Sequence, residues 1–323
     1  MINKPLVSIC CTTYNHAPYI RQCLDGFLIQ QTSFPFEILI HDDASTDETQ
    51  DIIKEYKSKY PHLFRLVLQT ENQCSKGVSP WTDILFLMTE GKYIAICEGD
   101  DYWQDPYKLQ KQVDFLEKNL DYGLVHTGCH IFIQDKELLV NGGNLNNLKK
   151  NTEEGFLSLL EKNTVTTLTV CFRKDILNVI LSLVKGISWD RVLWICISKY
   201  TKIHYIPEST GVYRILSESA SHSNDPQKLL YNWDKGTDDV LTLLERLKCT
   251  ENEIKLFLRP RAKYLLYLSY SANSPDKATK YYNYLDNCNS LSLTDIINYY
   301  STKSIVLKII FDFLRKSFRV VKK

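Results

Sequence analysis

Three carboxylates that follow an apolar stretch near residue 100 are the groups best suited to chemistry. The stretch "KYIAI" (92–96) continues into "CEGDDYW", which carries Glu98, Asp100 and Asp101. Like charges this close raise each other's pKa unless a cation lies among them. Carboxylate oxygens are the ligands that Mg²⁺ and Mn²⁺ prefer. The cluster therefore predicts a divalent-cation site, with a plain polar turn as the alternative.

Two further polar clusters also come directly after apolar runs. "TTYN" (12–15) follows "LVSICC" (6–11), and "HDDASTD" (41–47) follows "FEILI" (36–40). In an open α/β sheet, ligands bind outside the carboxyl ends of the strands. We therefore expect all three clusters to face one crevice.

Each of these clusters also has a purely structural interpretation. Thr12 and Asn15 are residue types that form turns. Ser45 and Glu48 have the spacing of a capping box at the start of the next helix. If those two residues cap the helix, the neighbouring aspartates 42 and 43 have no structural task and are free to bind a ligand.

Strands and helices that must position these residues alternate along the first third of the chain. The apolar patterns predict strands at 6–11, 36–40, 63–69 and 92–97, and helices at 18–31, 47–60, 81–89 and 106–119. Asp105 is predicted to cap the last of these helices, with Pro106 as its first residue. Near-continuous apolar strands between helices favour a parallel sheet covered on both faces.

The rest of the chain has a mixed section followed by a helical one. Between 121 and 215 we expect strands near 122–134, 165–172 and 202–206, and helices near 153–162, 174–184 and 189–199. From about residue 225 the pattern is helical. We therefore predict a domain at 1–222 and a helical C-terminal region at 223–323.

Composition excludes several classes of protein. The 323 residues carry 39 Lys and Arg against 38 Asp and Glu, so no global field attracts nucleic acid. The ten cysteines contain no CxxC pair, and neither GxGxxG nor GxxxxGK[ST] follows the first strand. The first residues make a poor signal peptide, and no apolar stretch could span a bilayer. We expect a reduced, cytoplasmic protein that binds a metal-bridged phosphate ligand.

The segments "VSICCTTYNHAPYIRQCLDGFLIQQ", "FEILIHDDASTDET" and "GKYIAICEGDDYWQDPYKLQKQVDFL" resemble the family 2 glycosyltransferases of bacterial polysaccharide synthesis. The likeness covers about residues 4–135, with weaker similarity to 215. It implies an α/β fold of the GT-A type, with a Rossmann-like nucleotide-sugar-binding sheet and here a C-terminal helical extension. It also implies an inverting transfer that uses Mn²⁺ or Mg²⁺.

The resemblance assigns roles to individual residues of the donor site. Thr12 and Tyr14 match positions beside the nucleotide base, and Asp43 matches the aspartate that bonds the uracil or ribose. Asp101 would hold the metal most directly, and Asp100 would contact the ribose or share the metal. Two further candidate metal ligands are Glu98, at a position that is often Asp, and His222.

A second part of the resemblance concerns the acceptor side. An inverting transferase needs a base for the proton of the acceptor hydroxyl. In the family this base is a carboxylate about 90 residues after the metal motif, and "SWDRVLWICISKY" (188–200) offers Asp190 there. The alternative is that Ser188 or Asp190 is only an N-cap. Tyr213 and Arg214 match residues that precede a polar loop closing over the diphosphate.

The final segment, "IVLKIIFDFLRKSFRVVKK" (305–323), predicts an amphipathic helix with a wide apolar face and a basic edge. Such a helix suits an anionic membrane surface, and packing on its own domain or in a partner's groove is the alternative. The acceptor would then be a saccharide or lipid-linked saccharide, and the donor a nucleoside-diphosphate sugar such as a UDP-sugar.

Two other functions stay open at this level. One is a catalytically inactive protein of the same fold that binds nucleotide sugars or acts as a scaffold. The other is a nucleotidyltransferase, which shares the metal and phosphate chemistry but should show a glycine-rich turn after the first strand.

Overall fold

The chain divides into two units, Met1–Leu216 and Ser217–Lys323. The structure is a computed structural model, and it describes residues 4–142, 153–187, 190–217 and 223–320. The side chains of 153–154 and 313–320 are outside the description. The first unit holds all the predicted site residues except His222, which lies outside the described residues.

A single ten-stranded sheet organises the first unit. Its strands are β1 (Val7–Thr13), β2 (Phe36–Asp42), β3 (Phe64–Leu68), β4 (Tyr93–Glu98), β5 (Tyr102–Trp103), β6 (Tyr122–Ile133), β7 (Leu138–Val140), β8 (Glu153–Glu154), β9 (Cys171–Arg173) and β10 (Lys202–Ile215). The helices of this unit are α1 (Ile20–Leu28), α2 (Thr49–Lys59), α3 (Phe86–Met88), α4 (Lys108–Lys118), α5 (Phe156–Glu161), α6 (Leu177–Val184) and α7 (Asp190–Tyr200).

The strand order is β3-β2-β1-β4-β9-β6-β10-β5, with β7 paired to β6 and β8 paired to β10. The four strands β3, β2, β1 and β4 run parallel, as the sequence predicts. The other half is mixed, because β9 runs antiparallel to both neighbours and β5 runs antiparallel to β10. The prediction of a parallel sheet, made for the four strands of the first third, is therefore correct, and the mixed half contains one further parallel pair, β6 with β10.

Two strands of the mixed half differ from their predicted extents. The predicted strand at 165–172 is a 3₁₀ turn (Thr167–Thr169) followed by the three residues of β9. The Thr169 hydroxyl donates to the carbonyl of Thr166, and such local bonds compete with a strand ladder. The strand predicted at 202–206 continues to Ile215, because register shifts between Ile206 and Gly211 absorb the polar stretch that looks like a loop.

Two predicted helix caps are also wrong. Ser45 does not cap α2, because its amide and hydroxyl both donate to the carboxylate of Asp42; the amide of Thr49 is instead accepted by Asp47, at 3.0 Å. Asp105 accepts the amide of Tyr107 at 2.8 Å in a turn, and α4 begins only after it. In both places an aspartate closes a turn ahead of the helix.

Trp103 in β5 contacts the elements around the turn that carries Glu98, Asp100 and Asp101, which we call the acidic turn. Its indole N–H donates to the carbonyl of Leu168 at 2.8 Å, and its ring packs edge-on against Phe27 of α1 at 4.8 Å. A Cβ on Gly26 would stand 2.7 Å from the carbonyl oxygen of Trp103, so α1 can approach β5 only where it has a glycine. The turn between β4 and β5 therefore rests on a tightly packed base.

The second unit is helical, as predicted. Its helices are α8 (Pro226–Arg246), α9 (Glu251–Ser271), α10 (Pro275–Asn287), α11 (Leu293–Lys303) and α12 (Ile305–Val320). Their apolar faces form a separate core that includes Leu265, Leu266 and Tyr281. Within the described ranges no helix is long and apolar enough to cross a membrane.

A buried lysine of α4 generates the first prediction. Lys108 is fully buried, its ammonium donates to Gln112 Oε1 at 2.8 Å and lies 4.2 Å from the ring centroid of Trp103. Burial lowers the pKa of Lys108 from its usual 10.5 to about 8. Between about pH 7 and about pH 9.5 the folded protein therefore loses a proton that the unfolded chain keeps. This group's contribution to the free energy of unfolding should rise by about 2 kcal/mol over that range.

Lys108→Met removes this titration, so the stability of the wild type relative to the variant should increase by about 2 kcal/mol from pH 7 to pH 9.5. Urea unfolding of both proteins at both pH values measures the difference. Lys118→Met, at an exposed position of the same helix, is the control and should show no such change. A relative stability of Lys108→Met that does not vary with pH would contradict the prediction.

Candidate active site

The carboxyl ends of three parallel strands bring the predicted polar clusters side by side. The pairing register sets Thr13 at the end of β1 beside Asp42 at the end of β2, and Thr12 beside Glu98 at the end of β4. The chain continues this pairing beyond the strands, because the amide of Gly99 donates to the carbonyl of Thr12 at 2.9 Å. The three clusters therefore share one edge of the sheet, as expected for a ligand site.

The loop after β1 is fastened to the loop after β2. The amide of Asn15 donates to the Ser45 hydroxyl at 2.8 Å, and Asn15 Oδ1 accepts the amide of Thr46 at 2.8 Å. Asn15 and Ala44 both have positive φ, at 55° and 63°. Non-glycine residues in that region cost energy and cluster at functional sites. Asn15 thus acts as a turn residue and also as the link between the two loops.

Both aspartates of the second cluster have structural partners. Asp42 accepts hydrogen bonds from Ser45 and from the side-chain amide of Gln50. Asp43 is 4% exposed, and its carboxylate accepts the amides of Gln73 and Cys74 at 2.6 and 3.1 Å. The sequence argument that these aspartates lack a structural task is therefore wrong. Asp43 fixes the 73–74 loop to the edge of the sheet, where it borders the crevice.

The acidic turn is held by a reciprocal pair of contacts with Arg214 of β10. Asp101 is 2% exposed, and its Oδ1 accepts the amide of Arg214 at 2.7 Å. In return, Nε of Arg214 donates to the carbonyl of Asp100 at 2.7 Å. The other guanidinium nitrogens donate to Gln134 and Gln22 at 2.6 and 2.7 Å. Three rings surround the guanidinium, those of Tyr19, Phe132 and Tyr102, at 4.8, 5.4 and 5.5 Å.

Burial, followed by the charges of Asp100 and Glu98, raises the pKa of Asp101 well above its usual range. The hydrogen bond from the Arg214 amide and the charge of the guanidinium act in the opposite direction. Arg214 therefore offsets part of the cost of crowding carboxylates at this turn. The sequence analysis noted Arg214 only as a residue before a loop, and no local pattern shows that it contacts a turn more than a hundred positions earlier.

Asp100 lies at the same edge of the sheet, with 21% of its side chain exposed. Its Oδ1 lies 4.0 Å from Nδ1 of His16. Burial lowers the pKa of His16, against the opposing charges of Asp100, Asp47 and Asp42. Within the described part of the chain, His16 Nδ1 and the buried hydroxyl of Thr13 have no hydrogen-bond partner. Polar atoms left unpaired in this way are expected where a ligand completes the site.

Glu98 faces a different neighbour, the predicted base. Burial, then the charges of Asp190 and Asp100, raise the pKa of Glu98 well above its usual range. The hydroxyl of Thr167 donates to Oδ2 of Asp190, whose Oδ1 accepts the amide of Arg191 at 2.6 Å. Asp190 is the first residue of α7. The charge of Asp190 therefore acts on Glu98, although the two carboxylates are far apart in the sequence.

A divalent cation could be held at this site only if a bound substrate supplied part of its coordination, for example through phosphate oxygens. Among the described residues no three His, Cys, Asp or Glu side chains come close enough to hold a metal. Mg²⁺ is commonly held by one or two carboxylates together with substrate phosphates. The accessible Asp100 carboxylate and the unpaired His16 nitrogen match that kind of site. The cysteines form no disulfide among the described residues, and most of them are buried.

The remaining predicted residues line the same edge. Thr12 is half-buried, and Tyr14 beside it is 46% exposed with its ring open to a ligand. Residues that the sequence analysis missed are Thr13, His16, Thr167, Gln22 and Gln134. His16 was within the quoted motif, but its approach to Asp100 depends on the pairing of β1 with β4.

The fold and site define an α/β protein with a ligand-binding edge at the carboxyl ends of its parallel strands. The model of the family "Glycosyl transferase family 2" matches residues 8–180, which is more than half of the chain. The chain belongs to this family, which confirms the resemblance seen in the sequence.

Relatives of known sequence agree with this assignment. An uncharacterized protein of Mycobacterium tuberculosis is 35% identical over 218 residues, 67% of this chain and 61% of the relative. The chain thus spans less than two thirds of that protein. The Escherichia coli protein named UDP-Glc:alpha-D-GlcNAc-diphosphoundecaprenol beta-1,3-glucosyltransferase WfaP is 36% identical over 112 residues, 35% of this chain and 41% of that one.

Solved structures show the same fold at low identity. Staphylococcus aureus TarS 1–349, in complex with UDP-GlcNAc, aligns over 92% of this chain and 90% of its own with a TM-score of 0.55 and 16% identity. The mannosyltransferase PcManGT of Pyrobaculum calidifontis, in complex with GDP-Man and Mn²⁺, aligns over 98% and 89% with a TM-score of 0.53 and 17% identity. The GT-A type fold with C-terminal helices is therefore confirmed.

Gly99 provides a test of this geometry. A Cβ at Gly99 would stand 2.9 Å from Thr13 Cβ and Oγ1 and 3.0 Å from His16 Nδ1. Overpacking of this kind lowers the free energy of unfolding by about 1–3 kcal/mol. To make room for the added Cβ, the side chains of Thr13 and His16 must move. Gly99→Ala should therefore weaken nucleotide-sugar binding by at least about tenfold. Titration with UDP-sugars, followed by thermal shift or calorimetry, measures the loss.

The matched control is Gly155→Ala, where an added Cβ meets nothing within 4 Å. Gly155 precedes α5 as its N-cap, so this change should cost stability of about 1 kcal/mol or less and leave nucleotide-sugar affinity intact. If Gly99→Ala bound donors as well as the control, the crevice beside Thr13 and His16 would not be the donor site.

Proposed function

We propose that this protein transfers a sugar, with inversion at the anomeric carbon, from a nucleoside-diphosphate sugar to a saccharide or lipid-linked acceptor in cell-surface polysaccharide synthesis. The donor we propose is a UDP-sugar. Membership of glycosyltransferase family 2 supports the reaction class, and the names of WfaP and of the TarS complex support a UDP-linked donor. The observation that carries the proposal is that the polar clusters after β1, β2 and β4 share one edge of the sheet, with Thr13 beside Asp42 and Thr12 beside Glu98.

The donor side of the proposal uses the loops after β1 and β2. Thr12 and Tyr14 lie beside the nucleotide base, where the exposed Tyr14 ring offers a stacking surface. Asp43 forms the buried border of this pocket and holds the 73–74 loop, so it positions the uracil or ribose contact that the family resemblance assigns to it. The two loops keep their relative position through the Asn15 hydrogen bonds.

The proposed metal ligands are Asp100 and Asp101, with Glu98 beside them and His222 as a further candidate. A divalent cation, when bound, neutralises the charge that develops on the leaving diphosphate. We assign the direct contact to Asp100, because its carboxylate is accessible and lies near the unpaired His16 nitrogen. Asp101 has Oδ1 occupied by the Arg214 amide, so its first task is to hold the turn.

Asp190 is the proposed general base. Its carboxylate is oriented from both sides, by the Thr167 hydroxyl at Oδ2 and by the Arg191 amide at Oδ1. Asp190 in this position would accept the proton of the acceptor hydroxyl as the new glycosidic bond forms.

The acceptor is proposed to reach the site from a membrane, as a saccharide carried on a lipid at the cytoplasmic face. The diphosphoundecaprenol-linked acceptor in the name of WfaP supports a lipid-linked substrate. We therefore propose that the protein contacts the membrane surface peripherally.

The base is tested by Asp190→Asn, which keeps the shape of the side chain but cannot accept a proton. Transfer, measured as release of nucleoside diphosphate in the presence of acceptor and Mn²⁺ or Mg²⁺, should fall by about 10²–10⁴-fold. Donor affinity should stay within about twofold, because the residue faces the acceptor. Asp175→Asn, on a 3₁₀ turn beside β9, is the control and should retain full activity.

An equal loss of activity and donor affinity in Asp190→Asn would place Asp190 among the donor contacts. Release of pyrophosphate in place of nucleoside diphosphate would identify a nucleotidyltransferase. If no donor were consumed by the wild type across UDP-, GDP- and dTDP-sugars, the protein would be a binding protein of the same fold.

A metal titration of two variants should distinguish the role of Asp100 from that of Asp101. Asp100→Asn should remove the Mn²⁺-dependent gain in donor affinity while the melting temperature stays within a few degrees of the wild type. Asp101→Asn should lower the melting temperature as well, because it weakens the buried contact with the Arg214 amide. Retention of the Mn²⁺-dependent gain by Asp100→Asn, and its loss in Asp101→Asn without loss of stability, would assign the metal to Asp101.

A further inference from the structure

The polar side chains at the start of α12 face the protein. The ammonium of Lys308 donates to the carbonyl of Tyr270 at 3.3 Å and to Oδ1 of Asn273 at 3.4 Å. The hydroxyl of Tyr270 donates to Asp312, and the Tyr270 ring contacts Phe311 edge-on at 6.2 Å. The charged edge of α12 is therefore the edge that holds the helix against the end of α9.

The aliphatic side chains of the same turns point away from the protein. Their exposed fractions are 76% for Ile305, 61% for Val306, 45% for Leu307, 64% for Ile309 and 50% for Ile310. A helix that packs on its own domain buries its apolar stripe and exposes its charges. In its described turns α12 has the opposite orientation, so the apolar face is not the surface that attaches it to the second unit.

We name the side chains 305, 306, 307, 309 and 310 the aliphatic face of α12. Exposed aliphatic residues that occur singly need no explanation, but a contiguous group on one helix marks an interaction site. In the sequence the apolar content continues along the helix with Phe313, Leu314, Phe318 and Val320.

The charge of this segment selects the kind of partner. Residues 303–323 contain seven basic side chains and a single acidic one, although the whole chain has a net charge of only +1. A second copy of the chain would bring two such basic segments together, which costs electrostatic energy. A surface of anionic lipids instead attracts them, and it also accepts aliphatic side chains at the acyl boundary.

We propose that the aliphatic face of α12 inserts into the surface of an anionic membrane, with α9 holding the helix on its opposite side through Lys308 and Asp312. The inference rests on the proposed function only because that function places the acceptor at a membrane. It goes further by naming the residues that make the contact with the membrane. Lys308, although part of the basic edge of the predicted helix, belongs to the contact with α9, because it is bonded to Tyr270 and Asn273.

The test is co-sedimentation of the full chain with vesicles of phosphatidylcholine alone or with about one third phosphatidylglycerol, at low and high salt. The wild type should sediment with the anionic vesicles at low salt, and less at high salt or without the anionic lipid. The double variant Ile309→Ser, Ile310→Ser should lower the partition coefficient at least about tenfold. The matched control is Leu138→Ser, Leu139→Ser, which removes two aliphatic side chains of β7 that are about equally exposed, at 48% and 53%, and should bind vesicles like the wild type.

Absence of wild-type binding to anionic vesicles at low salt overturns the inference. Unchanged binding by the Ile309→Ser, Ile310→Ser variant also overturns it, because another surface would then make the contact. Dimerisation that this variant abolishes, without vesicle binding by the wild type, would assign the aliphatic face to a second copy. Diphosphate release with a water-soluble acceptor should be the same in all three proteins, so failure of the enzyme and failure of the membrane contact give different results.

Discussion

The crowding of carboxylates at the end of β4 is the constraint on which the rest of the site depends. A buried carboxylate is stable only when hydrogen bonds and opposite charge compensate its lost hydration. Here the backbone amide of Arg214 donates a hydrogen bond to the carboxylate of Asp101. The guanidinium of Arg214, surrounded by aromatic rings, donates a second one to the carbonyl of Asp100. This pair fixes β10 against the turn between β4 and β5. It leaves Asp100 directed at the crevice.

The parts that surround this turn are positioned by contacts between loops, and these contacts explain why the site needs so many short polar residues. Asn15 bridges the loops after β1 and β2, and Asp43 anchors the loop at 73–74. Thr167 in turn holds Asp190 at the start of α7. In the proposed inverting transfer, the acceptor hydroxyl would reach the anomeric carbon from the face opposite the leaving diphosphate, so a donor site in the loops after β1 and β2 would need a base from another element, such as the start of α7.

Patterns in the sequence predicted the first half of the sheet well, because parallel buried strands are nearly continuous apolar runs and their helices have a clear period. The mixed half was less predictable. The threonines around Thr167 have strand propensity but hydrogen-bond locally in a turn, and the polar stretch before Gly211 looks like a loop but stays in β10 through register shifts. The predicted caps at Ser45 and Asp105 failed for a similar reason. Their hydroxyl and carboxylate groups had nearby competing partners that spacing along the chain does not show.

The sequence by itself determined the family, the order of the first strands and helices, and the three polar clusters at strand ends, because all of these depend on residue types within short segments. Only the tertiary structure decided that Asp101 is the buried carboxylate of the acidic turn, since that depends on Arg214 at the other end of the unit. It also decided that Thr167 holds Asp190 at the start of α7. The same holds for α12: its amphipathic pattern is evident in the sequence, but which edge faces the protein depends on hydrogen bonds to Tyr270 and Asn273. Such long-range pairings are set by how the chain packs, and local sequence carries no record of them.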